Sequence, residues 1–198
     1  GLCPGSANVI VRDLNGCTAN SSAIIFDDRG PVISGMSSTA ALCSGSSDGT
    51  ATTTVTGGTG VITYLWTDPA SQTTSTATGL PAGNYCVVVT DVNGCVDNGC
   101  VLVTEPTLLT AVGDFDATIC FGDSTQVWAS GAGGTAPYTI TWTTPGMTGP
   151  GPIMVNQTTT TSYCFTVTDA GGCTSPSECI VITVNPPLNL TLTASPAP

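Results

Sequence analysis

One stretch is written three times in this chain, and that repetition constrains the fold more than any other feature. The fullest copy is Tyr85-Cys86-Val87-Val88-Val89-Thr90-Asp91-Val92-Asn93-Gly94-Cys95. A second runs Tyr163-Cys164-Phe165-Thr166-Val167-Thr168-Asp169-Ala170-Gly171-Gly172-Cys173, and a third Val9-Ile10-Val11-Arg12-Asp13-Leu14-Asn15-Gly16-Cys17. Each reads as a β-strand running into a tight turn. Successive side chains of a strand point to opposite sides, so Tyr85, Val87 and Val89 share one face, as do Tyr163, Phe165 and Val167. Asn-Gly or Gly-Gly then supplies the positive φ of a hairpin turn. Cys95 and Cys173 stand 78 positions apart, a self-similarity that marks tandem domains.

Composition agrees. Charged residues make up 8% of the 198 positions, against 24 Gly, 14 Pro and no Lys. β-Branched residues suit pleated sheets, whereas helices favour Leu, Lys, Glu and Arg, so almost no helix is expected. The net charge of −11 rests on scattered acids, with Arg12 and Arg29 the only bases. Phosphate binding needs clustered Arg or Lys, so nucleic acid is not an expected partner. Basic contact with a membrane surface is not expected either, on the same ground. No apolar run approaches spanning length, so no membrane insertion is expected. No signal peptide stands at Gly1, as for a mature secreted product or a piece of a larger chain.

In chain order, residues 1–30 resemble the tail of a domain. Leu2 to Cys17 aligns without gaps on Leu80 to Cys95, and Ser22-Ala23-Ile24-Ile25-Phe26 answers to Cys100-Val101-Leu102-Val103-Thr104. A second alignment, of Leu2-Cys3-Pro4-Gly5-Ser6 on Leu42-Cys43-Ser44-Gly45-Ser46, competes for the start. Residues 31–106 make one full repeat, with strands separated by turn clusters such as Gly57-Gly58-Thr59-Gly60. Such spacing suggests a sandwich. Ile62, Tyr64 and Trp66 share one face there, and Tyr138, Ile140 and Trp142 are their counterparts in residues 107–187. A Trp on a central strand packed across the core is a habit of immunoglobulin-like sandwiches. Residues 188–198 read as an extra strand resembling Leu108-Leu109-Thr110-Ala111-Val112. The expected class is therefore all-β, with tandem immunoglobulin-like sandwiches.

Cys43-Ser44-Gly45-Ser46-Ser47-Asp48-Gly49, Gly57 to Trp66, Gly79-Leu80-Pro81-Ala82-Gly83-Asn84-Tyr85 and Val89 to Cys95, in that order, resemble the SprB-type repeat. That repeat belongs to very large surface adhesins of gliding Bacteroidota. Residues 107–187 resemble the related PKD/Ig-like repeats. The resemblance implies small extracellular sandwiches in arrays, often glycosylated, with no enzyme activity. It also implies a bridge from the Cys before the second strand to the Cys after Asn-Gly, that is Cys43–Cys95 and Cys120–Cys173.

Ten Cys and no His point to an oxidising compartment and a disulfide framework rather than zinc, because close CxxC pairs are missing. Cys86 lies on the strand face opposite Tyr85, Val87 and Val89, so it points outward. Folding the hairpin about residue 93 sets it against Cys100, and Cys164 meets Cys179 the same way. The immunoglobulin-style alternative is Cys43–Cys86 with Cys120–Cys164, which alternation disfavours. Cys3 and Cys17 remain as a pair by elimination.

With no His and no Lys the usual general bases and activated nucleophiles are absent, so no catalysis and no cofactor are expected. Sparse Asp and Glu read as turn and cap residues. Asp27, Asp28, Asp114 and Asp116 lie near domain joints, where calcium could bind, but no loop carries a full ligand set. Asn20, Asn156 and Asn189 head N-glycosylation tripeptides. Asp123-Ser124-Thr125 resembles the O-linked acceptor of Bacteroidota, with Ser124 as the modified residue. Two functional readings result. In one, residues 188–198 lend Leu188, Leu190 and Leu192 to the incomplete N-terminal unit of the next copy, giving a head-to-tail fibre by strand addition. In the other, the chain is a window of a long cell-surface adhesin array. Both place the protein outside the cell, with copies of itself and covalent glycans as partners.

Overall fold

The computed structural model describes residues 5–25 and 30–191. Among them are sixteen strands and no helix. The chain divides into two compact units, Gly1–Glu105 and Pro106–Pro198.

The first unit opens with a hairpin. β1 (Gly5–Arg12) and β2 (Thr18–Ile25) pair antiparallel, with Gly5 opposite Ile25 and Arg12 opposite Thr18. They form a two-stranded sheet that pairs with no other described strand. A sandwich follows. One sheet is β3 (Pro31–Thr39), β4 (Gly49–Gly57) and β6 (Thr76–Leu80); the other is β5 (Thr63–Trp66), β7 (Gly83–Thr90) and β8 (Val96–Val103). Alternation decides what fills the space between them. On β7, Tyr85, Val87 and Val89 are buried and join Trp66, Leu80, Ala51, Ala77 and Val103, while Val88 faces out. Ile62 and Tyr64, four and two residues before Trp66, pack against this cluster. Trp66 is 2% exposed, and its indole N–H donates to the Thr74 carbonyl at 2.8 Å. The ring is buried without orphaning its donor.

β3 also runs parallel beside β8, closing the sandwich along one edge. The Ile33 N–H donates to the Asp97 carboxylate at 2.8 Å, the Ser38 hydroxyl to the Leu102 carbonyl at 2.7 Å, and the Ala41 N–H to the Thr104 carbonyl at 2.8 Å. These three contacts advance together along both strands. The end of β3 therefore lies at the end of β8.

The second unit repeats the plan with more fragmented ladders. Its strands are β9 (Thr110–Gly113), β10 (Ala117–Cys120), β11 (Ser124–Val127), β12 (Ala129–Ala132), β13 (Thr139–Trp142), β14 (Ile153–Asn156), β15 (Thr161–Thr168) and β16 (Glu178–Asn185). The order β10-β16-β15-β13 makes one sheet, and the pairs β11–β14 and β12–β9 supply the rest. β10 is parallel to β16, with Ala117 opposite Ile182 and Cys120 opposite Asn185. The core gathers Val127, Tyr163, Phe165, Val167, Ile180 and Ile182 around Trp142, whose ring lies 4.8 Å from that of Phe165 at an interplanar angle of 48°. Tilted aromatic pairs of this kind add roughly 1 kcal/mol to simple burial.

Candidate functional site

The repeated motif owes its shape to one acid. In the β1–β2 turn, Asp13 Oδ1 accepts from the N–H groups of Asn15 and Cys17 at 2.9 and 2.8 Å. In the β7–β8 turn, Asp91 Oδ1 accepts from Asn93 and Cys95 at 2.9 Å each, and its other oxygen accepts from the Thr59 N–H at 3.1 Å. Asp169 repeats the arrangement before β16, accepting from Cys173 at 2.9 Å and Thr135 at 2.8 Å. Each carboxylate holds its own hairpin turn, and Asp91 and Asp169 also tie that turn to a loop across the sandwich. Burial pushes the Asp91 carboxyl up, but N–H donors from Thr59, Cys95, Asn93 and Gly94 outweigh it and hold the pKa below the ordinary value. For Asp169 the Thr135 N–H is the largest influence, and the pKa is again held low. With both oxygens accepting from backbone donors, Asp91 and Asp169 act as turn-fixing acids.

The cysteines separate into two kinds. Along the outer face of the hairpins, Cys86 sits directly opposite Cys100 and Cys164 opposite Cys179. Both pairs are joined, with sequence separations of 14 and 15. The other kind sits at strand ends, and here the sequence expectations are corrected. Cys120 is a free, exposed thiol, so there is no Cys120–Cys173 bridge. The parallel pairing of β10 on β16 explains this. It carries Cys120 to Asn185, the last residue of β16, whereas Cys173 lies in the turn before that strand begins. At about 3.3 Å per residue the two are more than 20 Å apart, well beyond the span of a disulfide.

The same geometry separates Cys43 and Cys95. Cys43 follows β3 at the Thr104 end of β8, and Cys95 precedes Val96 at the other end. Both are disulfide-bonded, as is Cys173, but the length of β8 rules out a Cys43–Cys95 bridge. The Cys3–Cys17 pairing is also corrected. Cys3 lies outside the described residues, and Cys17 is free and exposed in the turn. β1 starts at Gly5, at the open end of the hairpin, a full strand length from that turn.

The remaining candidates are scattered. Asp27 and Asp28 lie outside the described residues. Asp114 accepts from the Phe115 N–H and Asp116 from the Val181 N–H, at 2.9 and 2.7 Å. Among the described residues no three His, Cys, Asp or Glu side chains gather as a metal site. Asn20 is exposed on β2 and lines a hollow of about 420 Å³ with Asn8, Ile10, Ser21 and Ser22. Asn156 donates its side-chain N–H groups to the Gly122 carbonyl and to Ser124 Oγ, both at 3.0 Å, so those two candidates touch each other. Asn189 is exposed beyond β16. Residues 188–191 form no strand; Leu188 is 98% exposed, Leu190 is exposed as well, and Leu192 lies outside the described residues.

Sequence reasoning missed the exposed apolar surface. Val9, Ile10, Val11 and Ile24 of the β1–β2 hairpin are all exposed, so both of its faces are open. Phe115, Phe121 and Trp128 are exposed on the second unit. For Trp128 the signal was parity, since it alternates with the buried Val127 and Ala129, while Phe115 and Phe121 lie in loops outside any strand.

Residues 37–71, spanning the end of β3 through β5, match the family model described as the SprB repeat. No curated protein matches the chain. Among solved structures, the three N-terminal domains of the highly immunogenic outer capsid protein (Hoc) of bacteriophage RB49 align at 18% identity and a TM-score of 0.50. That alignment covers 75% of this chain, and the chain spans 58% of the Hoc structure it matches. The eight N-terminal Ig domains of Down Syndrome Cell Adhesion Molecule align at 15% identity and TM-score 0.41, covering 92% of this chain and 28% of that one. Fibronectin(III)-like modules of Clostridium thermocellum CbhA align at 14% and 0.31, covering 79% and 93%. The SprB-repeat match lies within the first sandwich, and the likeness to solved structures shows an Ig-like fold. With the disulfides, they suggest an extracellular or cell-surface setting. No helix among the described residues is long and apolar enough to cross a membrane.

Proposed function

We propose that this chain is a stretch of an extracellular adhesin array, in which Ig-like repeats act as stapled spacers that hold adhesive surface away from the cell. The observation that carries this reading is the pairing of an SprB-repeat match on residues 37–71 with a plan used twice, each time with a disulfide across its last hairpin. A spacer under tension must resist peeling of its strands. In both units the last two strands are locked to each other covalently on the outer face, where the bond takes no core volume. Few charges, abundant Thr and Ser, and exposed Asn20 and Asn189 suit a surface carrying covalent glycans. No step of this function requires catalysis or a cofactor.

The test is antibody labelling of intact producing cells, followed by protease shaving and an adhesion assay. Surface labelling and loss of attachment on shaving are expected. An antigen found only inside the cell, or attachment unchanged after its removal, refutes the proposal.

A second reading, fibre assembly by strand exchange between copies, draws support from the β1–β2 hairpin. It pairs with no other described strand and leaves Val9, Val11 and Ile24 exposed, while Leu188 and Leu190 are exposed outside any strand. A two-stranded hairpin alone is marginal in water, and an added apolar strand would cover it. Electron micrographs of the purified chain with its two free thiols replaced (C17S/C120S) decide this. Filaments favour strand exchange; monomers whose residues 188–198 are quickly proteolysed refute it.

A further inference from the structure

The strand-end cysteines occur in two positions. Cys43 and Cys120 lie where the strand parallel to the last one ends, and Cys17, Cys95 and Cys173 lie in the Asp-held hairpin turn. Cys43, Cys95 and Cys173 are disulfide-bonded. One member of each kind is left free and exposed: Cys120 and Cys17. Seven of the nine described cysteines are bonded, so the two that are not call for an explanation.

The surroundings of the two thiols are complementary. Beside Cys120 a cleft of about 400 Å³ is lined by Phe121, Asn185, Pro186, Pro187 and Leu188, with apolar surface predominating. Beside Cys17, Leu14 projects from the turn with 107% relative exposure and no packing partner of its own unit over it. The Arg12 guanidinium lies at the same turn, reaching to within 3.4 Å of where a Gly16 side chain would stand. Asp123 is in the Cys120 turn, its N–H donating to the Cys120 carbonyl at 3.0 Å. A thiol, an apolar knob and a cation on one side meet a thiol, an apolar cleft and an anion on the other.

We propose that Cys120 of one copy forms a disulfide with Cys17 of a second copy, with Leu14 seated in the cleft beside Cys120. The contact joins two different surfaces, so it repeats head to tail from copy to copy. It goes beyond the adhesin reading and does not depend on it. The oxidant is a small-molecule disulfide such as oxidised glutathione. A Cys120 thiolate attacks one of its sulfurs, forming a mixed disulfide and releasing one glutathione thiolate. The Cys17 thiolate then attacks the Cys120 sulfur, the mixed bond breaks, and the second glutathione leaves. Two protein thiols are oxidised, one glutathione disulfide is reduced to two thiols, and the two protons pass to the released thiolates.

The experiment uses the 198-residue chain with oxidised glutathione, read on non-reducing gels and by disulfide mapping of a peptic digest. A ladder in steps of 19.7 kDa is expected, collapsing on reduction. Neither C17S nor C120S alone should give the ladder. Mixing the two variants should yield one dimer band, linked Cys120 to Cys17. Both positions are exposed, so each variant should keep the parent's circular dichroism. The proposal is overturned by a ladder that survives in either single variant, by a mixture that gives only Cys17–Cys17 and Cys120–Cys120 links, by an internal Cys17–Cys120 loop in monomer, or by no cross-link at all. Replacing Leu14 by Asp should slow dimer formation in the mixture at least tenfold; an unchanged rate removes the cleft from the contact.

Discussion

Removing the Cys86–Cys100 staple as the double variant C86S/C100S tests whether the hairpin bridges stabilise by closing a loop in the unfolded chain. The separation is 14 residues. Loop-closure entropy for that length amounts to about 3 kcal/mol at 25 °C. Serine replaces sulfur at little cost in packing, because Cys86 is half-buried and Cys100 exposed. For a unit of this size, each kcal/mol moves the melting temperature by about 4–8 °C, so a fall of about 12–24 °C is expected in the first unit's transition. The Cys164–Cys179 bridge closes 15 residues, and loop length alone then predicts a cost within about 0.1 kcal/mol of the first. Calorimetry of the full chain in a C17S/C120S background, which prevents thiol exchange, measures both. A loss under about 1 kcal/mol would refute the loop argument. So would a difference above about 1 kcal/mol between the two bridges, which would show that native-state surroundings rather than loop length set the effect.

Acid should weaken the fold through its turn carboxylates. Asp91 and Asp169 have pKa values below the ordinary 3.8, so their contribution is complete above that value and is lost as pH falls through the lower folded-state values. Melting temperature recorded down to pH 2 should drop steeply at the acid end, and D91N/D169N should flatten that limb. Phe165 is fully buried against Trp142; Phe165→Ala should cost about 3–5 kcal/mol by urea denaturation, seen in the second unit. Gly133 has a φ of +73°, and a Cβ there would stand 2.0 Å from the Leu108 carbonyl oxygen, whereas Gly146 at +84° meets nothing within 4 Å. Gly133→Ala should therefore destabilise well beyond the cost of about 1 kcal/mol that positive φ alone imposes on Gly146→Ala. In single-molecule pulling, each intact staple should hide about 50 Å of contour, since 14 or 15 residues remain looped; reduction should release that length.

Much of the architecture could be read from local pattern. Alternation in Tyr85–Val89 and Tyr163–Val167 determined which side chains enter the core, because on a strand the face is fixed by parity alone. The Asn-Gly and Gly-Gly turns set the hairpin centres, and from there the Cys86–Cys100 and Cys164–Cys179 registers are a matter of counting. Trp66 and Trp142 were legible as core for the same reason. The strand-end cysteines were not legible. Whether Cys43 and Cys120 lie near the turn or a strand's length from it depends on an early strand, β3 or β10, running parallel to the last, a pairing across most of a domain that leaves no mark on neighbouring residues. Likewise, no local pattern distinguishes an apolar hairpin that is covered from one that stands open. Those decisions belong to long-range strand pairing, which alone determines which ends meet and which thiols are left to react.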